Sequence, residues 1–137
     1  MSTDCIVLKI EEFDNWELDN TIFIIYDKLK SQYLIRGRRS DTDKYNPVPI
    51  SFIADNIDNL TEFILFILCK SNTYTYSMYN YDNLPDNQYE ITYEKLKNLD
   101  NNVNYEIVTY TNKKLTKKCL YNMFNILKNI YNNYYII

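Results

Sequence analysis

Glycine occurs once in 137 residues, at position 37, and this scarcity narrows what the chain can fold into more than any other feature. A phosphate-cradling P-loop and a dinucleotide-binding fingerprint each need several positions where only glycine fits, so both are excluded. The single glycine stands in Arg36-Gly37-Arg38-Arg39, beside all three arginines of the chain. Within a strand pattern, an isolated glycine marks either a bulge or a close approach of neighbouring backbone.

That strand pattern is clear on both sides of the glycine. Residues 5–10 are a short apolar strand, and 21–27 alternate, with Phe23 and Ile25 on one side and Ile24 and Tyr26 on the other. Between them, 14–20 read as an acidic connection carrying Trp16, the only tryptophan. A polar turn at 28–31 leads into a returning strand over 32–38, completing a hairpin. Pro47 and Pro49 then stop any helix, and the alternation of Val48, Ile50 and Phe52 predicts a fourth strand at a sheet edge. Asn59-Leu60-Thr61-Glu62 has the spacing of a capping box, with Asn59 as the cap. Leu60, Phe63, Ile64, Ile67 and Leu68 form the apolar stripe of the helix that follows, which ends near Lys70. The same Asn-Leu-Thr spells a glycosylation acceptor, but without a secretory signal the helix cap is the reading adopted.

Strict alternation over 73–81 predicts a further strand, and 82–88, which hold Pro85, a loop. A short helix is expected over 92–99 and a last strand over 103–111. From Leu115 the apolar residues Cys119, Met123, Ile126, Leu127, Ile130 and Tyr134 recur at helical spacing, capped by Thr116 or Asn112. The order β-β-β-β-α-β-(α)-β-α defines one α+β domain over 1–137. It is expected to hold a mainly antiparallel sheet of five or six strands, with two main helices on one face.

Composition narrows the chemistry. Histidine is absent, which removes the commonest general base, both histidine-dependent catalytic arrangements and every histidine-containing metal site. Cys5, Cys69 and Cys119 are dispersed, with no CxxC, so neither a disulfide framework nor a structural zinc site is expected. The N-terminus lacks the basic and apolar regions of a signal peptide, and the most apolar run, 63–69, is far too short to span a bilayer. An intracellular protein without cofactor, resident metal or membrane association is expected.

Tyrosine appears 15 times, and Asn, Ile and Lys crowd the chain alongside it. These four residue types share AT-rich codons. On that composition the whole chain resembles a small protein of a mimivirus-like large DNA virus, although it carries no family motif. The resemblance implies a place in a virion or in the cytoplasm of an infected cell.

Three functional readings follow. The first is a non-enzymatic interaction protein, a homo-oligomer expected to be a dimer, or one that binds another viral or host protein. Its candidate interface residues are Tyr74 and Tyr76 on a strand and the apolar tail Tyr134, Tyr135, Ile136 and Ile137. The second is association with nucleic acid through Arg36, Arg38 and Arg39, together with Lys113, Lys114, Lys117 and Lys118 at the start of the last helix. Arg36 and Arg38 share one strand face, where they suit adjacent phosphates or a pair of carboxylates, unless they only keep a strand edge charged. The lysines oppose the helix macrodipole, which an anionic partner would relieve. Net charge is nevertheless −3, and an acidic stretch (Glu11, Glu12, Asp14, Glu17, Asp19) precedes the basic hairpin, so the surface is dipolar and not uniformly basic. The third reading is a metal-dependent nuclease, with Glu11-Glu12-x-Asp14 or Asp41-x-Asp43 as carboxylate ligands and Lys44 or the arginines on phosphate. No residue is assigned as catalytic.

Overall fold

The structure is a computed structural model, and it describes residues 2–14, 17–27, 30–39, 48–68, 73–85, 90–98, 101–103, 108–110 and 115–125. The strands are β1 (Ser2–Asp14), β2 (Glu17–Asp27), β3 (Gln32–Arg39), β4 (Val48–Ala54), β5 (Thr73–Pro85), β6 (Asn101–Val103) and β7 (Val108–Tyr110). The helices are α1 (Ile57–Leu68), α2 (Tyr93–Asn98) and α3 over 117–125. One antiparallel sheet runs in the order β4-β3-β2-β1-β5-β6, with β7 paired to β5 beside β6. The fold is α+β.

Side-chain alternation sorts the residues of the sheet into two cores. On one face Leu8, Ile10, Ile22, Ile24, Tyr26, Tyr33 and Ile35 meet Leu60, Ile64, Ile67 and Leu68 of α1 and Leu120, Met123 and Phe124 of α3. Both long helices therefore lie on the same face. On the other face Val7, Phe23, Ile25 and Leu34 are covered by Ile91 and by Leu96 of α2. Full burial of side chains such as these contributes about 1.5–3 kcal/mol each, so even a six-residue helix can hold its place.

Several boundaries differ from the sequence expectation. Residues 14–20 are not a free connection: β1 and β2 continue toward each other until Asp14 pairs with Glu17, across a register shift at Glu12/Phe13. Likewise β5 runs on through 82–85, where the ladder to β1 pairs Leu84 with Thr3 and Pro85 with Ser2. Cross-strand partners here override residues whose local preference is for turns. Of the expected strand over 103–111 the structure describes 103 and 108–110, which are strand in β6 and β7 along β5, and β6 begins two residues earlier at Asn101; the rest of that stretch lies outside the described residues. Helix α1 starts at Ile57, two residues before Asn59. The Asn56 side chain accepts a hydrogen bond from Asn59 N at 2.9 Å, and the Asn56 carbonyl accepts from Leu60 N at 3.1 Å. Asn56 is thus the cap, and Thr61 bonds back to the Ile57 carbonyl at 2.7 Å. Thr116 does cap α3, accepting from Cys119 N at 3.2 Å, and Thr92 caps α2 in the same way at 3.3 Å.

Gly37 is needed for space, not for conformational freedom. Its φ is negative, and the ladders to β2 and β4 pass through it in unbroken register, so it is not a bulge. A Cβ placed there would lie 2.4 Å from the Thr21 carbonyl oxygen and 3.1 Å from Ile22 Cα. The turn before β3 manages without glycine: Ser31 takes the left-handed conformation at φ 50°, and Asp27 accepts from Lys30 N at 3.3 Å. Replacing Gly37 with Ala forces backbone apart in the middle of the sheet. Gly37→Ala should lower unfolding stability by about 1–3 kcal/mol, read as a lower denaturant midpoint at unchanged m-value.

Tyr33 lies in the main core against Tyr26, with ring centroids 5.1 Å apart, and against Phe124 at 6.3 Å. Burial, helped by Tyr26, pushes its phenol up to about 12. The folded-state value exceeds the unfolded value near 10, so the neutral form is the one that folding favours. Its contribution is complete below pH 10 and is lost as pH rises toward 12, on the order of 2–3 kcal/mol. Alkaline unfolding should therefore coincide with tyrosinate absorbance over that window, and Tyr33→Phe should move unfolding to higher pH.

Candidate interaction surface at the β3–β4 corner

The arginine cluster is divided between the two faces of β3. Arg36 and Arg38 project on the α2 side, as expected, but that side is covered. Arg36 is 7% exposed. Its Nε donates to the Ile91 carbonyl at 2.9 Å, and Nη1 donates to the Ile35 carbonyl at 2.9 Å and more weakly to the Phe52 carbonyl at 3.5 Å. Burial lowers its pKa, yet guanidinium stays charged, so carbonyl dipoles take the place of water. Arg36 is a clamp that ties the start of the α2 segment to the sheet. Arg38 reaches Glu94 of α2 as an ion pair, with its guanidinium 5.2 Å from the Tyr93 ring centroid. Both partners are substantially exposed, so the pair contributes at most about 1 kcal/mol. Burial also raises the Tyr93 phenol pKa, against the pull of a hydrogen bond with Thr21 and of Arg38. The two residues expected to face adjacent phosphates are thus engaged by the fold.

Arg39 lies on the opposite face, 5.7 Å from the ring of Phe66 on α1. Phe66 is 71% exposed, the most exposed large apolar side chain among the described residues. Beside it, Phe52 of β4 and Phe63 of α1 stack at 4.0 Å with a 7° interplanar angle, both half-buried. Ile50 is also half-buried, and Ile53 on the other side of β4 is 40% exposed. Strand β4 is the end of the sheet, so this aromatic corner borders a row of backbone groups with no strand beyond it among the described residues.

The remaining sequence candidates separate clearly. Tyr74 and Tyr76 are not an exposed platform: at 1% and 2% exposure they are core, and the Tyr74 hydroxyl accepts from Leu115 N at 3.1 Å, anchoring the approach to α3. Lys117 and Lys118 stand exposed at the start of α3, with the Lys117 ammonium 5.6 Å from the Tyr121 ring centroid. Lys113, Lys114, Tyr134, Tyr135, Ile136 and Ile137 lie outside the described residues, as do Asp41, Asp43 and Lys44. Glu11 and Glu12 are separated by the pleat. Glu11 pairs with Lys9 at 3.6 Å on the α2 side. Glu12 is fully buried on the other face, accepting from Asn20 Nδ2 at 2.7 Å. They cannot share one metal ion. Among the described residues no three acidic or thiol side chains gather as a metal site, and no helix is long and apolar enough to cross a membrane.

Neither Phe66 nor Ile53, the exposed large apolar residues, is among the candidates read from the sequence. For Phe66 the signal was available, because it falls off the apolar stripe of α1 and must face outward. The chain matches no protein-family model, and neither a curated protein nor a solved structure matches it.

Arg36→Met should remove the clamp while keeping much of the packing. The expected loss is about 1.5–3 kcal/mol, with amide exchange accelerating first in residues 91–98; exchange rising uniformly over the sheet would contradict the clamp.

Proposed function

We propose that this protein is a non-enzymatic interaction protein that associates with itself through the β3–β4 corner, in a large DNA virus as a virion component or host-interaction module. The observation that carries the reading is the continuity of the corner. A solitary exposed phenylalanine is ordinary, but Phe66 adjoins Arg39, the Phe52–Phe63 stack and a sheet edge. Aromatic residues with a neighbouring arginine are the side chains enriched at protein interfaces and at their energetic centres. The viral assignment is supported by composition alone.

The nucleic-acid reading rests on fewer residues than the sequence offered. Arg36 is buried and Arg38 is paired with Glu94; the other described candidates are Arg39, beside Phe66, and the exposed Lys117 and Lys118. Sedimentation of the wild-type chain should show a concentration-dependent oligomer. Phe66→Ser, which alters an exposed position, should keep the circular dichroism spectrum and weaken association at least about tenfold, the scale of an interface hot spot. A wild-type chain that stays monomeric at high concentration, yet binds DNA or RNA with steep salt dependence, would replace this reading with the second.

A further inference from the structure

We infer that the partner is a second copy of the chain, joined by antiparallel pairing of β4 with β4 about a two-fold axis at Ser51, so that one sheet continues through both copies. The inference rests on the self-association proposed above and specifies its geometry.

Among the described residues strand β4 ends the sheet, and its sequence Val-Pro-Ile-Ser-Phe-Ile-Ala contains no charged residue. Solitary edges are usually guarded by inward charges, lysines, prolines, bulges or a covering element, because unpaired backbone donors and acceptors invite another strand. Pro49 blocks a donor only near the start of β4. Ser51 to Ile53 remain competent to pair, and Ser51 and Ile53 are exposed.

Two-fold symmetry places residues of β4 opposite one another in a self-complementary way. With Ser51 on the axis, Ile53 lies opposite Pro49 of the second copy, and Ile50 lies opposite Phe52. The exposed Ile53 side chain is then covered by a proline ring on one face. On the other face the half-buried Ile50 and Phe52 of both copies close into a continuous apolar row beneath the two α1 helices.

Charge selects the strand direction. The first residues of β4 lie beside the end of β3, where Arg39 stands in register with Val48 and supplies the positive charge, Arg38 opposite Pro49 being neutralised by Glu94. The last residue of β4 leads into Asp55 and then Asp58, both exposed, at the start of α1. Antiparallel pairing brings the basic end of each copy beside the acidic end of the other, whereas parallel pairing would join like ends. Arg39 and Ala54 of the second copy would be two strand spacings apart, about 10 Å. That is close to the screening length at physiological salt, so these charges orient the encounter while backbone bonds and the apolar row hold the complex.

The test is a Ser51→Cys chain treated with oxidised glutathione and run on a non-reducing gel. Wild type controls for the native thiols, and Lys97→Cys, exposed on α2, controls for random collision. Directly opposed residues of an antiparallel pair place their Cβ atoms about 4.5–5.5 Å apart, near enough for a disulfide with slight adjustment. Ser51→Cys should convert to covalent dimer well ahead of both controls. In parallel, Ile53→Lys, at an exposed position, should raise the dimer dissociation constant at least tenfold by sedimentation with an unchanged circular dichroism spectrum. A wild-type dimer that neither crosslinks through Ser51→Cys faster than through Lys97→Cys nor weakens with Ile53→Lys would overturn the β4 geometry and leave self-association standing. A monomeric wild type would overturn both.

Discussion

Residues 20–27 of β2 and 33–37 of β3 are buried on both faces, and the rest of the architecture depends on that constraint. Every residue from Asn20 to Asp27 is buried, so alternation along β2 leads from one core into another and never to water. Antiparallel sheets commonly leave one face solvated, with polar residues at every second position. Here both sets of positions are apolar over most of the central strands, and each face needs a cover. The long helices supply one. The other is α2, whose six residues carry one buried apolar side chain, Leu96, and which relies on Ile91 and on the Arg36 clamp to stay in place.

Much of this order was legible in the chain. Alternation over 21–27 and over 73–81 marks the strands, because successive side chains of an extended backbone must point opposite ways. The stripes of α1 and α3 mark their helices for the corresponding reason at a period of 3.6. The errors fell at element ends. Asn56 and Asn59 are chemically equivalent candidates for a cap, and which one serves depends on where β4 releases the chain. Residues 82–85 resemble a loop in isolation, yet the long β1 gives them a pairing partner.

The polar residues show a sharper separation between composition and role. Arg36, Arg38 and Arg39 are adjacent in sequence and alike in chemistry, but their environments differ completely. One is a buried clamp, one a half-exposed ion pair and one a cation beside an exposed phenylalanine. Glu11 and Glu12 are parted in the same way by the pleat of β1. Tyr74 and Tyr76, which could serve a wet sheet face, lie under α3 instead. Among the described residues, the exposed Phe66 and Ile53 and the end of the sheet come together at the β3–β4 corner.

The sequence by itself determined the strand and helix periods and the exclusion of histidine-dependent and glycine-loop chemistry, because each follows from local stereochemistry or from residues that are absent. Only the tertiary structure decided which charged and aromatic side chains are inside. Burial of a polar group depends on partners that arrive from elsewhere in the chain. The carbonyl that accepts from Arg36 Nε belongs to Ile91, 55 residues away, and no local pattern announces it. Conversely, Phe66 is exposed because α1 presents its other side to the sheet and nothing among the described residues covers the one that faces out.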